Sequence, residues 1–188
     1  MEALLTTFVA AALAEWGDKT QLLVIALAAR YGKAVPILLG VAVAALANSL
    51  IAAAGGILVN GYIVIRAVSL LIAVALIFAG VAGIIGGKAP ETGRDWGRGP
   101  FLTAAAGFFV LEFGDKTQFL TFALAARFDA LALAAAGATA GILVSCAPAA
   151  VLGTELGQYV PLKAVRIGVG ILFLLVAFFV AINALQLV

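Results

Sequence analysis

The chain contains no histidine, a single cysteine (Cys146), and charged residues at only 11% of its 188 positions. Each shortage closes off chemistry. Without histidine there is no imidazole for a zinc site and no Ser-His or Cys-His pair, and one thiol forms neither a disulfide framework nor a thiolate cluster. No nucleophile with a base partner can be assembled, so neither an enzyme nor a bound cofactor is expected. The formal net charge is only +2 and the basic residues are scattered among apolar segments, which argues against a nucleic-acid partner. Apolar residues are what the chain has in excess. They make up 65% of it, against roughly 45–50% in soluble domains. The expected partner is the lipid bilayer.

Six segments are long and apolar enough to cross a hydrocarbon core of about 30 Å: 3–29, 34–58, 64–86, 101–126, 130–152 and 164–187. Each is expected to be a helix, because an open strand would leave backbone groups unpaired in lipid. The first segment resembles a signal-peptide core, but its leading residues carry Glu2 and no positive charge. Its apolar stretch also resumes after the polar cluster and runs to Ala29, longer than the roughly 7–15 residues of a signal core. It is read as a span and not as a cleaved leader.

A search for internal repeats sets the expected architecture. Residues 15–31 align without gaps on 112–128 at an offset of 97, with twelve of seventeen positions identical. The same offset pairs Gly40 with Gly137, Gly56 with Gly153, Tyr62 with Tyr159 and Arg66 with Lys163. The chain therefore reads as a duplication: a first three-helix repeat over 1–86, a polar, Gly- and Pro-rich linker over 87–99, and a second three-helix repeat over 100–188. Three spans is an odd number, so the second repeat enters the membrane from the opposite side. The expected fold is an all-α integral membrane protein of six transmembrane helices in two inverted repeats. With both termini outside, seven basic residues face the cytoplasm (Arg30, Lys33, Lys88, Arg94, Arg98, Lys163 and Arg166) and only Arg66 and Arg127 do not, which sets the orientation.

The duplicated motif reads Glu15-Trp16-Gly17-Asp18-Lys19-Thr20-Gln21 and Glu112-Phe113-Gly114-Asp115-Lys116-Thr117-Gln118. Each copy falls within an apolar span. An ionised side chain at the bilayer centre costs at least about 2.5–3.5 kcal/mol on insertion scales, so three in one helix call for a partner, a ligand or a pathway. On a regular helix Glu15, Asp18 and Lys19 share an arc of about 100°, which Gln21 widens to about 160°. The matching face of Glu112, Asp115, Lys116 and Gln118 is expected to meet it across the pseudo-two-fold axis. Gly17 and Gly114 permit either close helix approach or a break that frees backbone carbonyls.

Carboxylate, amide and carbonyl oxygens with no Cys or His beside them suit a hard cation such as Ca²⁺, Mn²⁺ or Mg²⁺. The candidate metal-binding residues are Glu15, Asp18, Gln21, Glu112, Asp115 and Gln118. Lys19, Thr20, Lys116, Thr117, Asn48 and Ser145 support them. The four carboxylates and two lysines leave a net charge of −2, which one divalent ion or two protons would neutralise. Cation/proton antiport with alternating access follows as the expectation.

Duller readings stand beside this one. Glu15 with Lys19 and Glu112 with Lys116 are spaced for i,i+4 pairs that would merely hold helices together. Thr20 and Thr117 point away on a regular helix, and Asn48 and Ser145 suit ordinary interhelical hydrogen bonds equally well. Arg30 and Arg127 read as snorkelling span ends, Glu155 as a solvated end residue, and Pro148 as a kink.

Paired E-x-G-D-[KR]-[TS] motifs in two three-helix halves resemble uncharacterised protein family sixteen, the Gdt-type cation/proton exchangers. Its members include Golgi manganese/calcium transporters and bacterial manganese exporters. The resemblance covers essentially the whole chain. It implies that Glu15, Asp18, Glu112 and Asp115 bind the transported Mn²⁺ or Ca²⁺, and the adjoining Lys19, Thr20, Lys116 and Thr117 match as well. The long N-terminal extension and long central loop of eukaryotic members are missing here, which implies a compact bacterial inner-membrane protein. The resulting expectation is an exporter of Mn²⁺, also of Ca²⁺, driven by inward proton flow and working as a monomer or a homo-oligomer. The rivals are an exporter of cationic amino acids or other small solutes, and a non-transporting membrane scaffold.

Overall fold

The computed structural model describes residues 1–87 and 99–186. The linker expected over 87–99, with Lys88, Arg94 and Arg98, lies almost wholly outside the described residues. Within them the chain is helical and holds no strand. The first half consists of α1 (Glu2–Glu15), α2 (Lys19–Tyr31), α3 (Ala34–Asn60) and α4 (Ile65–Ile85). The second consists of α5 (Gly99–Glu112), α6 (Lys116–Phe128), α7 (Leu131–Leu152), a 3-10 turn (Gly153–Glu155), α8 (Leu156–Tyr159) and α9 (Leu162–Leu185). Among the described residues four helical stretches are long and apolar enough to cross a membrane: Ala34–Asn60, Ile65–Ile85, Leu131–Tyr159 and Leu162–Leu185.

The segments expected as continuous spans over 3–29 and 101–126 are not single helices. Each stops at its motif and restarts after a break of three residues as a second, shorter helix. Gly17 (φ +72°) and Gly114 (φ +76°) make the turns, in a conformation that costs an L side chain roughly 1–2 kcal/mol. This resolves the alternative that the glycine positions leave open: they break their helices. α7, by contrast, stays helical through Pro148.

Small residues let the helices approach. α1 lies against α7 and α5 against α3. A Cβ at Gly137 would collide with the Leu4 carbonyl oxygen, and one at Gly40 would collide with that of Phe101. Residues 40 and 101 stand 97 positions from 137 and 4, so the two halves use the same close contact. α4 and α9 cross where Gly80 and Gly170 meet. Among helices in lipid, packing of this kind replaces the hydrophobic drive that water would supply. The outward faces of α4 and α9 carry exposed Ile77, Phe78, Ile171, Leu175, Phe178 and Phe179. Polar residues are held inside: Glu15, Gln21, Thr20, Asn48, Glu112, Lys116, Thr117 and Ser145 are all buried.

Candidate metal-binding site

Each break places a helix C-terminus beside a helix N-terminus. α1 ends on Glu15 and α5 on Glu112, so both bring the partly negative ends of their dipoles, and these acidic side chains, to the elbows. Asp18 and Asp115 take the N-cap positions of α2 and α6, where Asp is a favoured residue.

A helix break away from water must satisfy the backbone groups it frees. The glutamines do so. The Gly17 N–H donates to Gln21 Oε1 at 2.8 Å, and the Gly114 N–H donates to Gln118 Oε1 at 2.5 Å. Each amide nitrogen then ties the elbow to the long helix of the other half, Gln21 Nε2 to the Ser145 carbonyl (2.6 Å) and Gln118 Nε2 to the Asn48 carbonyl (3.3 Å). The same two residues complete the brace with their side chains. Ser145 Oγ donates to the Ala12 carbonyl at 2.7 Å, and Asn48 Nδ2 donates to that of Phe109 at 3.1 Å. The Trp16 N–H has turned to the Leu13 carbonyl, so the Ala12 oxygen needs the hydroxyl it receives.

The charged groups cross between the elbows. Lys19 Nζ lies 2.8 Å from Asp115 Oδ1, while Lys116 Nζ contacts Asp18 Oδ2 and lies 3.4 Å from Asp115 Oδ2. The i,i+4 pairs that a regular helix would form are replaced by pairs between the halves. Thr20 and Thr117 also depart from the helical expectation. They do not point away. Both hydroxyls donate to Glu15, Thr20 to Oε2 and Thr117 to Oε1, each at 2.5 Å. An elbow rotates the residues that follow it relative to those before it, so a face computed across the break loses its meaning.

Glu112 differs from Glu15. It is only 1% exposed, yet neither carboxylate oxygen has a hydrogen-bond partner among the described residues. Asn48 Oδ1 is buried in the same condition. One oxygen each from Glu15, Glu112 and Asp115 lie within 4.8 Å of one another. Ligands on opposite sides of a single Mn²⁺ or Ca²⁺ ion, with metal–oxygen bonds of roughly 2.1–2.6 Å, stand at about this separation. A cavity of about 310 Å³ reaches Asp18, Lys19, Asp115 and Lys116 from the linker end of α4, where Gly86 and Gly87 line it.

Arg166 enters the site unannounced by its sequence position, which groups it with loop cations. It stands in the second turn of α9, donates from Nε to the Gly83 carbonyl (2.9 Å), and reaches the Gly17 carbonyl with Nη1 (3.4 Å). Its repeat counterpart is Ser69, so the duplication gives no signal for it. Arg30 lies over the ring of Tyr31, 5.4 Å from its centroid.

Discontinuous helices that meet at buried charges, among helices of membrane length, define a multi-pass membrane transport protein. The chain belongs to the family of the divalent cation/proton antiporter GDT1, whose model matches residues 3–91 and 100–187. Over 180 residues it is 37% identical to a protein of Vibrio cholerae serotype O1 named "Putative manganese exporter", a match that covers 94% of this chain and 89% of that protein. No solved structure matches it.

Proposed function

We propose that this protein exports Mn²⁺, and accepts Ca²⁺ as well, in exchange for protons, and that the two motifs form the opposite walls of one midplane site. The observation that carries the reading is the approach of Glu15, Glu112 and Asp115 to within 4.8 Å of one another between the two elbows. The lysines partner the aspartates and Arg166 is turned to backbone carbonyls, so the uncompensated charge of −2 resides on the two glutamates, Glu15 held by two threonines and Glu112 by no partner among the described residues. A divalent ion supplies what Glu112 lacks. Two protons neutralise the same charge when the ion has gone, which couples the two fluxes.

In this reading the chain spans a bacterial inner membrane six times, with each broken helix pair serving as one span. The recurring element order of the two halves, with both breaks 97 positions apart, supports two inverted repeats, 1–86 and 100–188. Both termini lie outside and the linker lies in the cytoplasm. Asp18, Gln21 and Gln118 complete the proposed set of ion-binding residues. Lys19, Thr20, Lys116, Thr117, Asn48 and Ser145 hold it in shape.

The test is flux of Mn²⁺, Ca²⁺ and Mg²⁺ into proteoliposomes against an imposed pH gradient, repeated with Asp18→Asn. Mn²⁺ and Ca²⁺ flux that the pH gradient drives and the substitution abolishes is the expected result. Competition by lysine in place of the metals would make the protein an amino-acid exporter, and the absence of any metal flux would end the reading.

A further inference from the structure

The two elbows are alike in backbone and sequence but not in surroundings. A Cβ at Gly17 would stand 2.5 Å from the Leu162 carbonyl oxygen and 3.1 Å from Arg166 Cβ, whereas a Cβ at Gly114 would meet nothing within 4 Å. Gly17 and Gln21 are buried; Gly114 is exposed and Gln118 half-buried. The start of α9 therefore seals the first elbow. The equivalent start of α4 does not seal the second.

The cavities are unequal in the same way. The linker-side cavity, lined by Ala82, Gly86 and Gly87, reaches Asp18 and Asp115. The positions that correspond to those three at the offset of 97, Phe179, Asn183 and Ala184, line a pocket at the far end that touches none of the motif residues. A further cavity of about 540 Å³ meets Gly114, Asp115 and Gln118 from between α3, α4 and α6, but of the two equivalent end cavities the linker-side one alone meets the motif residues, as in one half of an alternating-access cycle.

Arg166 distinguishes the first elbow from the second. Its guanidinium joins three segments: α9, which carries it, the Gly83 carbonyl near the end of α4, and the Gly17 carbonyl in the elbow. It also fills the space of a missing side chain at Gly86, where a Cβ would collide with the guanidinium carbon. Gly86 has φ +76°. At the counterpart position, among the described residues, Ser69 Oγ donates to the Ile65 carbonyl of its own helix and to no other group. A hydroxyl of that length cannot bridge three segments.

We infer that Arg166 is a positioning residue that latches the protein in its linker-side-facing state, acting through the Gly17 carbonyl on the elbow that carries Glu15 and Asp18. The opposite state requires both of its hydrogen bonds to break. Because Ser69 offers no matching latch, the cycle rests in the state that loads its ion from the linker side. This rests on the transport reading above.

A ligand's apparent affinity at each face depends on the population of the state that faces it. The experiment measures KM for Mn²⁺ separately at the two faces of proteoliposomes, for the native protein, Arg166→Ser and Arg166→Lys. Loss of the latch raises KM at the linker face and lowers it at the other. The ratio of the two changes by roughly tenfold, as expected for one charge-assisted hydrogen bond. Arg166→Lys keeps the charge and most of the packing but cannot make both bonds, so its ratio moves in the same direction; it decides the matter if Arg166→Ser does not fold. A fall in maximal rate with both KM values unchanged in either variant overturns the latch and leaves only a packing role. Failure of the native protein to move Mn²⁺ counts against the transport reading instead.

Discussion

Lys19, at the start of α2, is joined at 2.8 Å to Asp115, at the elbow between α5 and α6, so an ion pair links the halves of the molecule close to the candidate ligands. Lys116 reciprocates with Asp18. These crossed pairs set the geometry and the charge at once. They hold the elbows together, and among the described residues of the two motifs they leave Glu15 and Glu112 without an ion pair.

The crossing can be measured by a double-mutant cycle. Lys19→Ala and Asp115→Ala each strip a partner from a half-buried charge, and each is expected to lower the melting temperature in detergent. The double variant should lose less than the sum. The interaction should fall in the range of about 0.5–3 kcal/mol found for residues in contact. Strict additivity would mean that the pair contributes nothing across the interface.

The two glutamates should respond differently to the loss of their charge. Glu112→Gln removes a buried carboxylate that has no hydrogen-bond partner among the described residues, so it should leave the melting temperature unchanged or raise it, since an uncompensated buried charge is costly. Glu15→Gln disturbs a carboxylate that accepts from Thr20 and Thr117. It should destabilise by about 1–3 kcal/mol, because one threonine hydroxyl then faces an amide nitrogen. Both substitutions should abolish proton-coupled Mn²⁺ flux. A Glu112→Gln protein that is stable and still transports would remove this residue from the site.

The elbows offer a comparison between equivalent glycines. Alanine at either position must adopt a positive φ, at a cost of roughly 1–2 kcal/mol. At Gly114 that is the whole expected cost, because nothing lies within 4 Å of the new methyl group. At Gly17 the methyl group would also overlap the Leu162 carbonyl oxygen at 2.5 Å. Gly17→Ala should therefore melt well below Gly114→Ala, as thermal unfolding of the two purified variants would register.

Much of this molecule is legible in its amino-acid sequence, for physical reasons. The shortage of charge and the long apolar runs require helices in lipid, and the helical fold follows from that. Glu, Asp, Lys and Gln are so scarce elsewhere that their gapless recurrence in 15–31 and 112–128 stands out and points to the family. The local geometry is hidden because a break of three residues leaves hydropathy unaltered. Projection onto a regular helix turns Thr20 and Thr117 outward and pairs Glu15 with Lys19, where the structure has Thr20 on Glu15 and Lys19 on Asp115. The bracing role of Gln21 and Gln118, whose amide groups bond to the elbow backbone and to the Ser145 and Asn48 carbonyls, is hidden for the same reason. Arg166 escapes a reading of the sequence for another reason. The repeat has no arginine at the matching position, and its role depends on which elbow is covered, a property of the packing alone.

The net charge of −2 that remains after the lysines are counted yields a prediction about coupling. If one Mn²⁺ replaces two protons, exchange moves no net charge and is indifferent to voltage. A one-for-one exchange would move an elementary charge, worth about 2.3 kcal/mol per 100 mV, which is roughly a fiftyfold shift in the equilibrium ion ratio. Proteoliposomes clamped at different potassium diffusion potentials separate these cases, and the Mn²⁺ ratio reached at a fixed pH gradient should not change across about 100 mV. Acidity on the loading side provides an independent count. Where the empty site carries both protons, loading one metal ion must release two, so apparent KM should rise by up to about a hundredfold for each unit of pH lowered there, against about tenfold if only one is released. A voltage-sensitive ratio together with a tenfold slope would overturn the two-proton count and leave one of the two glutamates outside the proton exchange.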